Sequence, residues 1–150
     1  MSKTTSHLPE NPLAFLQTGA PAFLLTLGSD GYPSGVYTWL AAPDAGRMRF
    51  GADAGSATLA NLQREGKATF QIVGDGLVFQ VKGTVALVAE RIQAAPFPIS
   101  MCELTVTEAK DQSWPGVSVA DIAYQWPPDQ RAAMEAMEQA VYAELRRLNP

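Results

Sequence analysis

The stretch Arg47-Met48-Arg49-Phe50-Gly51-Ala52-Asp53-Ala54-Gly55-Ser56-Ala57-Thr58-Leu59-Ala60-Asn61-Leu62 changes its hydrophobic period midway, and that change decides the fold class. Residues 47–51 alternate polar and apolar, as a half-buried strand does. Past Gly55 the pattern becomes helical: Ser56 is a good N-cap, Thr58, Leu59, Leu62 and Glu65 follow at helical spacing, and Gly66 supplies the stop. Residues 67–73 then return to a β pattern. One helix is therefore inserted into a run of strands.

Upstream, Asn11 and Pro12 open a short helix that runs to about Gln17 and stops at Gly19. Residues 21–27 form an apolar run, Ser29-Asp30-Gly31 carries the Asp-Gly hairpin signature, and residues 35–41 are β-branched and aromatic. Pro43-Asp44-Ala45-Gly46 marks the next turn. Downstream, Gly74-Asp75-Gly76 turns the chain into a long strand at 77–88, whose interior Gly83 signals a bulge or a barrel corner. Residues 99–108 alternate again and give the last strand. From Pro127 and Pro128 onward, Met134, Met137, Val141, Leu145 and Leu148 recur three and four apart, the stripe of a C-terminal helix over 128–148 that packs on the barrel or on a partner. Six strands joined by tight turns favour an antiparallel sheet, and closure into a barrel removes its bare edges. The expected fold is mainly β with α: a six-stranded antiparallel barrel with one inserted and one C-terminal helix.

The 150 residues suit one domain, and residues 1–10 read as a flexible polar tail. With 11 basic and 15 acidic residues, the net charge of −4 lacks the excess that nucleic acid or an anionic membrane selects. Charged residues make up only 17%, low for an isolated domain, so part of the surface is expected to be covered by a second copy in a homodimer. Cys102 has no other cysteine to pair with, and His7, the only histidine, lies in the polar opening. Disulfides, zinc sites and Ser-His or Cys-His nucleophiles are set aside. The N-terminus lacks a signal-peptide pattern and no apolar run is long enough for a membrane helix, so a cytoplasmic protein is the expectation.

This order of elements, with the pieces Asp30-Gly31-Tyr32-Pro33, Gly55-Ser56, Asn61-Leu62 and Lys82-Gly83, resembles the pyridoxamine 5'-phosphate oxidase-like family, the FMN-binding split barrels. The resemblance covers roughly residues 21–88, with a weaker echo through Glu108. It implies a homodimer with FMN at the interface, the phosphate near the start of the inserted helix and the flavin ring along neighbouring strands. Carried onto this chain, it makes Ser56 and Thr58 phosphate-side residues. Tyr37, Thr38 and Trp39 become ring-side residues, the backbone of Gly51, Ala52 and Asp53 faces the pyrimidine edge, and Gln80 and Lys82 contribute from the long strand. The hydroxyl of Ser56 at a helix start suits phosphate, and N-capping accounts for it equally well. No acid, base or nucleophile stands out as catalytic, which suits chemistry supplied by a cofactor.

The chain also departs from that family. Classical members carry a basic residue early in the second strand, a Lys at its end and an Arg or Lys pair after the helix-start Ser; the matching positions are Val36, Ala41, Ala57 and Thr58. Two or three lost charge-assisted contacts weaken phosphate binding by about three decades or more, unless Lys82 or Arg49 compensates. Two readings therefore stand. One is an FMN- or deazaflavin-dependent oxidoreductase acting on a small substrate. The other is a non-catalytic split-barrel dimer that binds FMN weakly or not at all and serves as a ligand-binding or stress-associated module. A haem-handling variant lacks a histidine outside the tail for axial ligation. Tyr124 and Trp126, with Trp114, are loop aromatics suited to anchoring an interface.

Overall fold

A computed structural model describes residues 3–147. Its strands are β1 (Lys3–Thr5), β2 (Ala20–Leu27), β3 (Pro33–Asp44), β4 (Arg47–Asp53), β5 (Lys67–Gly74), β6 (Leu77–Ala89) and β7 (Ile99–Asp111). Its helices are α1 (Glu10–Thr18), α2 (Ala57–Glu65) and α3 (Arg131–Leu145). All strand pairings are antiparallel, in the order β1-β7-β4-β3-β2-β5-β6. A further β6–β7 pairing closes β2 to β7 into a six-stranded barrel, with β1 added outside as a seventh strand. The barrel expected from the sequence is there, mainly β with three helices. No helix among the described residues is long and apolar enough to cross a membrane.

The alternation in the sequence becomes an inside and an outside. On β5, Ala68, Phe70 and Ile72 point into the barrel, as do Leu40 and Ala42 on β3 and Phe50 on β4. Phe50 and Phe70 meet edge to face, with centroids 4.9 Å apart. Gly83 is the corner that the sequence marks. The register shifts there, and a Cβ would stand 2.1 Å from the carbonyl oxygen of Thr105, so only glycine lets β6 cross β7 this closely.

A second apolar cluster lies outside the barrel. Trp39 and Ala41 on the outer face of β3 pack with Ile92, Ile99 and Met101 and with Val141, Tyr142 and Leu145 of α3. Gly19, at the end of α1 with φ of +88°, is where the ring of Tyr142 comes down; its Cβ would lie 2.2 Å from that ring. The predicted helical stripe thus packs in cis, over a shorter span than 128–148, with Leu148 outside the described residues.

The opening segment corrects the expectation of a flexible tail. Lys3, Thr4 and Thr5 pair with Asp111, Lys110 and Ala109, extending β7 past the predicted Glu108, and Leu8 is buried in the barrel cluster. The cause is the exposed rim of the lengthened β7: its backbone groups need partners, and a short polar strand supplies them without needing a hydrophobic pattern.

Candidate functional site

Two adjoining cavities form where β3, β4 and the start of α2 meet the segment between β7 and α3. The smaller, about 120 Å³, is lined by Val36, Tyr37, Thr38, Gly51, Ala52, Asp53, Ser56 and Thr58. The larger, about 320 Å³, is lined by Pro21, Tyr37, Thr38, Trp39, Asp53, Phe97, Ile99, Tyr124 and Trp126. Tyr37, Thr38 and Asp53 line both, so the two cavities adjoin on β3. Eight of the ten residues singled out from the sequence come together here.

Local rules build the smaller cavity. β4 ends at Asp53, Gly55 adopts φ of +72°, and the amide of Ser56 donates to the Asp53 carbonyl at 3.2 Å, turning the chain into α2. Ser56 Oγ accepts from the Leu59 amide at 3.1 Å, the N-cap geometry. A helix start leaves its first amides without intrahelical acceptors, so it presents donors to the cavity. Thr38 donates its hydroxyl to the Gly51 carbonyl at 2.7 Å, which fixes β3 against the end of β4.

The larger cavity has an aromatic wall hung on one carboxylate. Glu138, on α3 and only 8% exposed, accepts from Trp39 Nε1 at 2.9 Å, from Trp126 Nε1 at 2.9 Å and from the Tyr124 hydroxyl. Burial, and then the bond to Glu138, push the Tyr124 pKa well above its ordinary 10.0, so it stays a donor. Tyr37 donates to the Ile122 carbonyl at 2.7 Å, meets Tyr124 edge to face at 5.8 Å and leans on Phe23 at 4.8 Å. Trp39 stacks against Phe97 at 5.8 Å. Tyr124 and Trp126, expected to anchor an interface, pack on their own barrel, while Trp114 stays exposed.

Gln80 and Lys82 line neither cavity of this chain. They face a groove of about 500 Å³ across β2, β5 and β6, so β2 and β5 separate them from β3 around the barrel. Strand parity gives the face of the sheet on which a side chain stands, and closure sets where on the circumference that face lies. Lys82 lies 3.7 Å from Glu108. Arg49, the other proposed compensating cation, is 2% exposed, pairs with Glu103 at 2.8 Å and also donates to the Arg147 carbonyl.

Glu138, Phe97, Ile99 and Pro21 escaped the sequence reading. Glu138 sits on the charged side of the helical pattern, and nothing in its spacing marks it as buried. Among the described residues no group of three or more His, Cys, Asp or Glu side chains is placed to hold a metal.

The residues fit a flavin in part. A flat ring finds aromatic faces, the Thr38 oxygen and the exposed end of β4. The phosphate finds amides and Ser56 but no cation: none of the eleven Lys and Arg residues lines either cavity, and the acidic Asp53 lines both. The phosphate half of FMN does not fit this site.

A family model described as pyridoxamine 5'-phosphate oxidase matches residues 8–125. No curated protein matches the chain. Among solved structures, HupZ of Group A Streptococcus superposes with a TM-score of 0.59 at 14% identity, over 75% of this chain and 99% of that one. An F420 reductase gives 0.58 at 15% identity, over 68% and 98%. A putative pyridoxamine 5'-phosphate oxidase from Lactobacillus delbrueckii gives 0.57 at 16%, over 70% and 94%. At these identities the structures attest the fold. The family match spans the barrel from Leu8 to the segment that carries Tyr124, and on it the chain belongs to the pyridoxamine 5'-phosphate oxidase family.

Proposed function

We propose that this chain is a redox protein that holds the ring of a flavin or deazaflavin in the adjoining cavities between the start of α2 and the aromatic wall, and acts on a small substrate. The observation that carries this reading is that Tyr37, Thr38 and Asp53 join a polar helix-start cleft to an aromatic cavity on β3. The family match and the F420 reductase neighbour support it. A ring so held supplies the electron chemistry, and the chain's residues bind it and exclude water. A homodimer accords with the low share of charged residues and with exposed Phe23, Leu27 and Val36 on β2 and β3.

The test is a fluorescence titration of the purified protein with FMN and with riboflavin, beside the visible spectrum as isolated. Saturable quenching of either flavin supports the reading. No binding of either up to about 100 µM, a free energy weaker than about −5.5 kcal/mol, overturns it. The missing cations favour a second reading, a non-catalytic dimer of this fold that binds FMN weakly or not at all. Its expected result is a colourless protein and no saturable quenching of FMN.

A further inference from the structure

The placement of charge bears on which flavin-type ligand the site accepts. Arg47 pairs with Asp44 at 2.6 Å, Arg49 with Glu103 at 2.8 Å, and Arg64 with Glu65 at 3.1 Å. Arg64 also donates to the Leu27 carbonyl at 2.6 Å, on the far side of α2 from its start. Lys67 and Lys82 face the groove across β2, β5 and β6. These five basic residues serve the opposite flank or ion pairs, and none of the eleven lines the two cavities.

What remains at the helix start is neutral and polar. The first-turn amides of α2, the Ser56 hydroxyl and the half-buried Thr38 are hydrogen-bonding groups suited to hydroxyls. Against a phosphate dianion stands Asp53, exposed and lining both cavities, in a chain of net charge −4. The helix dipole offers about half a positive charge, which does not neutralise a dianion beside a carboxylate. A neutral polyol side chain loses nothing from either feature. The aromatic cavity of about 320 Å³ lies at the small end of ligand pockets, about 300 to 1,000 Å³, and suits a flat ring system more than an extended charged tail.

We propose that the site selects a flat heterocycle with an uncharged, hydroxylated tail, of the riboflavin class, over its phosphorylated form. This rests on the flavin reading above and sharpens it. Asp53 is the selecting residue through its charge, and the start of α2 is the binding element for the tail hydroxyls.

The experiment is a fluorescence titration of the full chain with riboflavin and FMN, at low and at about 0.5 M salt. Riboflavin is expected to bind about tenfold or more tighter than FMN at low salt. That gap should narrow as salt screens the repulsion, since the screening length falls to a few ångströms near 1 M. FMN binding more tightly than riboflavin, with affinity falling as salt rises, overturns the selectivity while leaving the flavin reading intact, because it reveals a cation at the phosphate. Failure of both flavins to bind overturns the two together. The Asp53→Asn variant, checked for native circular dichroism, is expected to raise FMN affinity and shrink the ratio several-fold. An unchanged ratio overturns Asp53 as the selector. Ala57→Arg, which places a cation at the helix start, is expected to reverse the preference; continued preference for riboflavin there overturns the account of why phosphate is refused.

Discussion

The barrel interior and the layer beneath α3 are both buried, yet they are built by opposite rules. Inside, the barrel cluster is apolar: Leu40, Phe50, Phe70 and Leu104 contribute no polar atom and contact one another without exposure. Under α3, the cluster of Trp39, Ile99, Met101, Val141 and Tyr142 adjoins a carboxylate that takes up three polar aromatic groups. A second buried acid, Glu144, accepts the amides of Gln93 and Ala94 at 2.9 Å each, pinning the connection between β6 and β7. The interior sets stability through area and packing. The outer layer sets the position of particular atoms at the larger cavity.

The deepest cut into this contrast is Phe50→Ala, which removes a fully buried ring in edge contact with Phe70. It is expected to cost about 3 to 5 kcal/mol, read from the urea midpoint. While the variant remains folded, flavin affinity should stay within a few-fold of the parent, because Phe50 touches neither cavity. A loss of binding as large as the loss of stability would mean that interior and outer layer are not separable.

Alkali titrates the two layers at different places. Burial pushes the Cys102 thiol from 9.0 up to about 11, and Cys102 belongs to the barrel cluster. Its neutral form is favoured by the fold, so the unfolded thiol ionises first. The stabilisation is complete below about pH 9 and is lost as pH rises toward about 11, a change of about 3 kcal/mol. Tyr37, Tyr124 and Tyr142, raised from 10.0 chiefly by burial, add their loss only above pH 10. Melting curves at stepped pH should therefore decline from about 9 in the parent and only from about 10 in Cys102→Ala. Identical onsets would remove the thiol from the account.

Glu138→Gln probes the outer layer alone. An amide oxygen in place of a carboxylate accepts fewer bonds, and the new NH2 faces an indole N–H, leaving a buried donor without an acceptor. The expected cost is about 1 to 3 kcal/mol, with a red-shifted tryptophan emission as the segment bearing Tyr124 and Trp126 loosens, and weaker flavin binding. Retention of emission and affinity would show that the aromatic wall stands without its carboxylate.

The same contrast explains what could be read from the sequence. Strands that close on an apolar interior alternate or run apolar between turn residues, so residues 47–51 are legible by their alternation, 21–27 by their apolar run, and Gly83 by its place inside a strand. The N-cap, cleft and β3 aromatics were legible because helix starts and strand ends follow local rules. Glu138 is satisfied by indoles 12 and 99 residues away, a pairing that no local pattern announces. β1 is polar and held by the backbone of β7, so no hydrophobic period marks it. Gln80 and Lys82 stand on a different flank from the other eight residues, since barrel closure is a long-range property that strand parity does not announce.

The smallest effect falls on Ser56, at the start of α2 beside the smaller cavity. Ser56 caps α2 through the Leu59 amide and is among the residues that line the smaller cavity. In Ser56→Ala the Leu59 amide loses its acceptor, at a cost of about 1 kcal/mol, a melting shift of a few degrees for a chain of this size. If that capping bond is the oxygen's main work, riboflavin and FMN weaken by the same small factor and their ratio holds. Suppose instead that the hydroxyl donates to phosphate. FMN then weakens about tenfold while riboflavin barely changes, the expectation for a lost hydrogen bond to a charged acceptor. The Ser56→Thr variant keeps a hydroxyl at the cap and should restore stability in either case, so the ratio of the two affinities alone decides between cap and phosphate ligand.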